Sequence, residues 1–215
     1  PVFKGELLRQ NDIVKNVALG HEAREFRNEN NEETLWTSHV FSGMPTFNMA
    51  AEFHTNVLTL VGKTMNLFPK GLNMIVITCL GFYILLITMG LNPWIACVAA
   101  VSYGLSPNLL SSLGAGHNTK ILSIAYMAPA IGGVALAFSG KKMTGALITA
   151  LFVGLMISSN HYQIMYYFLL ISLVAGVVYL IFAIREKSLK EYGKTIGMLA
   201  LAGVIGFMPN FSKVY

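Results

Sequence analysis

Between Glu52 and Glu186 the chain carries no aspartate or glutamate. Eight of its ten acidic residues lie in the first 52 positions, among them the only aspartate, Asp12. The acid-free stretch is apolar and comes in blocks about as long as a bilayer is thick. A helix needs about 20 apolar residues to cross a bilayer, and several blocks approach that length. Charged residues make up only 12% of the 215, against about 25% in a soluble domain. Carboxylate chemistry must therefore draw almost entirely on the N-terminal segment.

These features predict an all-α, polytopic membrane protein of two parts. Residues 1–70 form an N-terminal segment of amphipathic and interfacial helices. Residues 71–215 form a transmembrane domain with about six spans. Val2–Arg27 reads as an amphipathic helix, because Leu7, Leu8, Ile13, Val14, Val17 and Ala18 recur at helical spacing. Asn28–Glu33 reads as a polar turn, and Gly43-Met44-Pro45 as a tight bend. Val57–Phe68 reads as a short interfacial helix. The six spans are Gly71–Leu91, Trp94–Leu113, Ile121–Phe138, Met143–Ser158, Tyr162–Ile184 and Thr195–Phe211. Pro107 should kink the second or end it early. The third, fourth and sixth read as short. Their many small residues suit close helix packing in lipid. The chain opens on Pro1 and ends just past an apolar block, so the expectation is a piece of a longer protein.

The net charge of +5 is not a nucleic-acid footprint, because the cations sit singly or in short loops between apolar blocks. Lys141 and Lys142 lie in one such loop, and Arg185, Lys187, Lys190 and Lys194 in another. Alternation of spans puts both loops on one side, which the positive-inside rule makes cytoplasmic. The expected setting is a membrane with the N-terminal segment on the external side. Cys79 and Cys97 fall inside apolar spans and read as buried thiols.

This orientation gathers the polar chemistry outside. Asp12 joins the loops GAGHNTK (Gly114–Lys120) and SSNHYQ (Ser158–Gln163) on that face. Asp12 can serve as a general base or cation ligand, or simply as a solvated charge. His117, Asn118 and Lys120 form a cluster able to bind phosphate, aided by the backbone amides that open the third span. Lys120 alone could merely snorkel. His161 and Gln163 make a second polar cluster facing the same compartment. The separations of His21, His117 and His161 fit no zinc spacing. Trp36, Phe41, Met44 and Phe47 read as a packing surface, and Trp94, Tyr162, Tyr166 and Tyr167 as an interface belt.

The runs FRNENNEETLWTSHVFSGMPTF, GFYILLITMGLNPW, GAGHNTK, AYMAP and NHYQIMYY together resemble the YfhO family of bacterial membrane proteins, in the form common in Bacteroidetes. The resemblance covers about Leu8 to Asn210. Members are longer, with a membrane helix ahead of the Asp12 segment and many further spans. A fragment of this extent would be expected to be inactive by itself. The resemblance implies a GT-C-like glycosyltransferase that takes a sugar from a polyprenyl-phosphate donor and passes it to a cell-envelope glycopolymer or protein on the external face. It implies that Asp12 is the acidic residue of the first external loop, acting as base or metal ligand. His117, Asn118 and Lys120 match the family's GHNTK loop, and His161 and Gln163 its NHYQ loop. The phosphate-binding role of His117, Asn118 and Lys120 comes from their chemistry, and His161 and Gln163 join them as substrate-binding candidates. The chain has no DxD pair, so a divalent cation stays open as a cofactor. Two other classes remain: a transporter or flippase, and a non-catalytic envelope scaffold. The spans lack the charged midplane residue that coupled transporters usually keep.

Overall fold

The computed structural model describes residues 10–38, 42–46, 58, 68–69 and 71–211. Among these it is all-α apart from one two-residue ladder. Two short helices, α1 (Asn11–Leu19) and α2 (His21–Asn30), precede strands β1 (Trp36–Thr37) and β2 (Met44–Pro45). The apolar part comprises α3 (Leu72–Thr88), α4 (Pro93–Gly104), α5 (Pro107–Ala115), α6 (Asn118–Phe138), α7 (Lys142–Ser158), α8 (Tyr162–Arg185) and α9 (Leu189–Phe207). A 3-10 turn, Met208–Asn210, ends it.

Several boundaries differ from the sequence reading. The amphipathic segment is two helices, because Gly20 is the cap of the first and the start of the second. The second runs to Asn30, through residues that read as a turn. Asn31 ends it in the left-handed conformation (φ 54°), which asparagine tolerates better than most side chains. The last apolar helix begins at Leu189, six residues before Thr195. Its charged first turns do not interrupt it, because Glu191 pairs with Lys194 at 2.7 Å and with Lys142 of α7. Neither α6 nor α9 is therefore short. The break near Pro107 falls at Leu105–Ser106, and Pro107 opens the next helix, where its missing N–H costs nothing. The two halves meet at 42°. Apart from Leu58 and Phe68, the expected interfacial helix at Val57–Phe68 lies outside the described residues, as do the aromatic rings of Phe41 and Phe47.

Three helices, those beginning at Asn118, Tyr162 and Leu189, are long and apolar enough to cross a membrane, and a fourth crossing results if α4 and α5 count as one broken span. Leu72–Thr88 and Lys142–Ser158 are apolar but only 17 residues each. Among the described residues, length and composition thus support three or four of the six expected spans.

The core centres on α6, whose Ala125, Tyr126, Ala130 and Val134 pack with Val153, Leu155 and Met156 of α7 and Ile77 of α3. Small residues set the helix separations. A Cβ on Gly133 would stand 2.8 Å from the Gly145 carbonyl oxygen, and one on Gly145 would strike the Ala137 amide nitrogen. The backbones of α6 and α7 therefore touch, as the GxxxG-type crossings of membrane helices require. Between α7 and α9 the same holds at Gly154 and Gly206. The fully buried Asn210 donates to the Gly154 carbonyl at 2.9 Å across that contact.

Pro129 sits inside α6 and cannot donate to the carbonyl of Ala125. That carbonyl lies against Gly81 of α3, where any Cβ would collide with it. The proline frees an acceptor and the glycine makes room for it. Gly81→Ala should therefore part α3 from α6. The expected cost is about 1–3 kcal/mol, read as a lower unfolding midpoint in detergent, and an unchanged midpoint would refute it.

Candidate functional site

The N-terminal segment folds on itself before it reaches the helices. Thr37 and Met44 pair across the β1–β2 ladder. The Glu22 carboxylate accepts from the Thr37 hydroxyl and, at 3.0 Å, from the Ser38 amide. Glu22 thus ties α2 to the ladder. His21 pairs with Glu25 one turn on, at 3.2 Å.

The segment is fastened to the apolar helices by Gln10. Its side-chain amide donates to the Leu113 carbonyl at 2.6 Å. Gln10 and Asn118 also exchange two hydrogen bonds of 3.1 Å each. This reciprocal amide pair places the start of α1 over the start of α6. Gly116 makes the approach possible. Its φ of +98° favours glycine, and a Cβ there would lie 3.1 Å from Gln10 Cβ and 3.3 Å from Asp12 Cβ. Gly116→Ala should therefore strain the backbone by about 1–2 kcal/mol and loosen α1. Faster amide exchange over residues 11–19 in the variant is the expected readout, and unchanged exchange would count against the clamp.

Fastened there, Asp12 presents Oδ2 to His117 Nε2 at 3.0 Å. Both side chains are about half exposed (46% and 49%), so the pair faces an open space. That space is a cavity of about 620 Å³ whose lining includes Asp12, His117, Asn118, Lys120, His161 and Gln163. All six residues singled out from the sequence border it. They come from three places: the first turn of α1, the α5–α6 connection and the α7–α8 connection. Gln163 donates to the Tyr167 hydroxyl at 2.7 Å. The His161 Nδ1 atom is buried and has no hydrogen-bond partner among the described residues. His21, held by Glu25, is not among the lining residues.

Two helices begin at this cavity, α6 at Asn118 and α8 at Tyr162. The Asn118 amide donates to the Gly116 carbonyl at 2.8 Å and the Ile164 amide to the His161 carbonyl at 3.1 Å; the other first-turn N–H groups lie ahead of the regular helical ladder, and the helix dipoles add positive potential. Lys120 is half-buried at the start of α6. The arrangement offers an anion a cation and two helix N-termini, beside a carboxylate whose Oδ1 has no partner among the described residues. Among those residues no three His, Cys, Asp or Glu side chains gather. Asp12 and His117 form only a two-residue set for a cation.

Sequence reasoning missed Gln10 as the clamp, Gly116 as the contact point, and Asn16, Thr119, Ile164 and Tyr167 as further lining. Gln10 and Asn118 are both amides next to functional candidates, which was the available signal. Their pairing across 108 positions leaves no local trace. No protein-family model, curated protein or solved structure matches this chain.

Proposed function

We propose that this protein is a membrane-embedded glycosyltransferase of the GT-C-like kind, related to the YfhO family, acting on a polyprenyl-phosphate sugar. The observation that carries the reading is the Asp12–His117 contact at the mouth of a cavity that also holds Lys120 and two helix N-termini. The motif resemblance supports it further. In this reading the six apolar blocks cross the bacterial cytoplasmic membrane, with α3 and α7 as short spans and the Asp12 end external. The exposed Ile13, Val14 and Val17 of α1 then rest in the interface. Trp94, 81% exposed at the start of α4, anchors the opposite boundary.

The chemistry is a displacement at the anomeric carbon. Asp12 Oδ1 takes the proton of an acceptor hydroxyl. The acceptor oxygen attacks the sugar, and the bond to the phosphate oxygen breaks. Lys120 and the amides at the starts of α6 and α8 stabilise the charge that develops on the leaving phosphate. His117 holds Asp12 in place through the 3.0 Å contact. The acceptor is an envelope glycopolymer or protein.

The test is transfer of radiolabelled sugar from a panel of polyprenyl-phosphate donors to envelope extract, by membranes containing the protein. Donor-dependent labelling is expected. Its absence from every donor, with the protein folded, would overturn the reading in favour of a transporter or scaffold. In the same assay Lys120→Gln should raise the KM for the donor about tenfold or more, as loss of a charge-assisted hydrogen bond implies. An unaltered KM would remove Lys120 from the phosphate.

A further inference from the structure

The opposite end of the helix array holds a second cavity, of about 370 Å³, between the α6–α7 and α8–α9 connections. Its walls combine two kinds of group. Phe138, Tyr179 and Tyr192 form a ring stack, with Phe138 centroids 4.1 Å from Tyr179 and 5.9 Å from Tyr192. Lys142, Glu186 and Glu191 supply charge. Glu191 is already matched, because it accepts from both Lys142 and Lys194. Glu186 has no ion pair among the described residues. The lining thus carries one cation and two carboxylates, and the unmatched charge is negative. Around it the connections are basic: Lys141, Arg185, Lys187 and Lys190 are all exposed.

A ligand that fits this pattern is positive at its tip and negative just behind. The cavity also has an apolar continuation. Phe138 lines both it and a groove of about 430 Å³ that runs among α6, α7, α8 and α9 past Val153, Phe168 and Leu199. The groove is almost wholly apolar, and Ile196 in it adjoins Thr195 of the polar cavity in sequence. A charged tip, an opposite charge and a hydrocarbon chain in line are the parts of an amine-bearing phospholipid.

We propose that this cavity binds the headgroup of an aminophospholipid, its ammonium on Glu186 among the aromatic rings, its phosphate toward the basic rim and an acyl chain in the groove. Ammonium groups are attracted both by carboxylates and by aromatic rings, whereas a headgroup bearing only negative charge would meet the free Glu186 carboxylate. The lipid would fill the cleft that α8 leaves beside α6 and α9. This assignment is independent of the chemistry at the Asp12 end.

The protein, reconstituted in nanodiscs of equimolar phosphatidylethanolamine and phosphatidylglycerol, is extracted into mild detergent, and the retained lipid is identified by native mass spectrometry. Phosphatidylethanolamine should be enriched about two- to fivefold over phosphatidylglycerol, the effect one exposed charge contact gives. Glu186→Gln should abolish the enrichment and Glu186→Asp should keep most of it. Because position 186 is exposed between helices, both variants should fold, and a single symmetric gel-filtration peak checks this. Enrichment of phosphatidylglycerol, no enrichment, or enrichment indifferent to Glu186→Gln would each overturn the proposal. Soluble phosphoethanolamine displacing the retained lipid at micromolar concentration would overturn it too, by showing that the acyl chain is not part of the recognition.

Discussion

Asp12→Asn should lower sugar transfer by about 10²–10⁴-fold, the range a positioned general base commonly supplies, while the protein stays folded. The amide can still accept from His117 Nε2, so the 3.0 Å contact that orients the side chain is retained. What disappears is the capacity of the second oxygen to take a proton. The loss should therefore fall on kcat, with donor KM little changed, opposite to the expectation for Lys120→Gln. His117→Gln should cost less than Asp12→Asn, since it removes support rather than the proton acceptor. The double variant should be little worse than Asp12→Asn alone, because residues acting as a unit are strongly non-additive. Full transfer by Asp12→Asn protein would keep an enzyme and discard this base. Equal, additive losses from both replacements would mean that the two side chains act separately.

The second large effect concerns the helix crossing that carries the site. Gly145→Ala puts a methyl group against the Ala137 amide and 2.5 Å from the Gly133 carbonyl oxygen. Both obstacles are backbone, so no side-chain rotation relieves them. The helices must separate, and the expected loss is about 3 kcal/mol, the upper part of the range for overpacking. Because α6 also carries Asn118 and Lys120, transfer should fall with stability. Gly197→Ala supplies the control. A Cβ at Gly197 meets nothing within 4 Å, and alanine is favoured over glycine inside a helix by up to about 1 kcal/mol. The same chemical change should thus destabilise at position 145 and leave position 197 unchanged or slightly more stable. Thermal unfolding of both variants in one detergent decides the matter. Equal midpoints would refute the close crossing.

The legible part of the structure was the part set by composition along the chain. The gap in carboxylates from Glu52 to Glu186 and the spacing of Pro93, Pro107 and the small loops locate six apolar blocks, five of them to within a few residues at their starts, and the structure divides the second into two helices. Helix ends that carry charge were less legible. Lys190, Glu191 and Lys194 read as a loop because they are polar, yet Glu191 pairs with Lys194 and with Lys142 of α7, and the helix continues through them. Gly20 was hidden for the converse reason: the amphipathic pattern persists on both sides of a break in the backbone. Six spans were read, and among the described residues three or four meet the length for crossing, because Leu72–Thr88 and Lys142–Ser158 are apolar but end after 17 residues.

The candidate site divides along the same line. The distribution of lysines and arginines led to the expectation that Asp12, the GAGHNTK loop and the NHYQ loop share one face, and residues of all three line one cavity. That Asp12 reaches His117 depends on Gln10 and Asn118 joining two amides 108 positions apart, and on Gly116 lacking a Cβ where the two segments meet. Nearly uniform apolar helices carry no stripe to show which side faces which neighbour. The choice of partner rests instead on contacts between backbones, at Gly81 with Ala125, Gly133 with Gly145 and Gly154 with Gly206. Polarity along the chain determined what this protein is made of and where its charges can stand; only the packed helices decided which of those charges touch, because close approach is a property of two surfaces together.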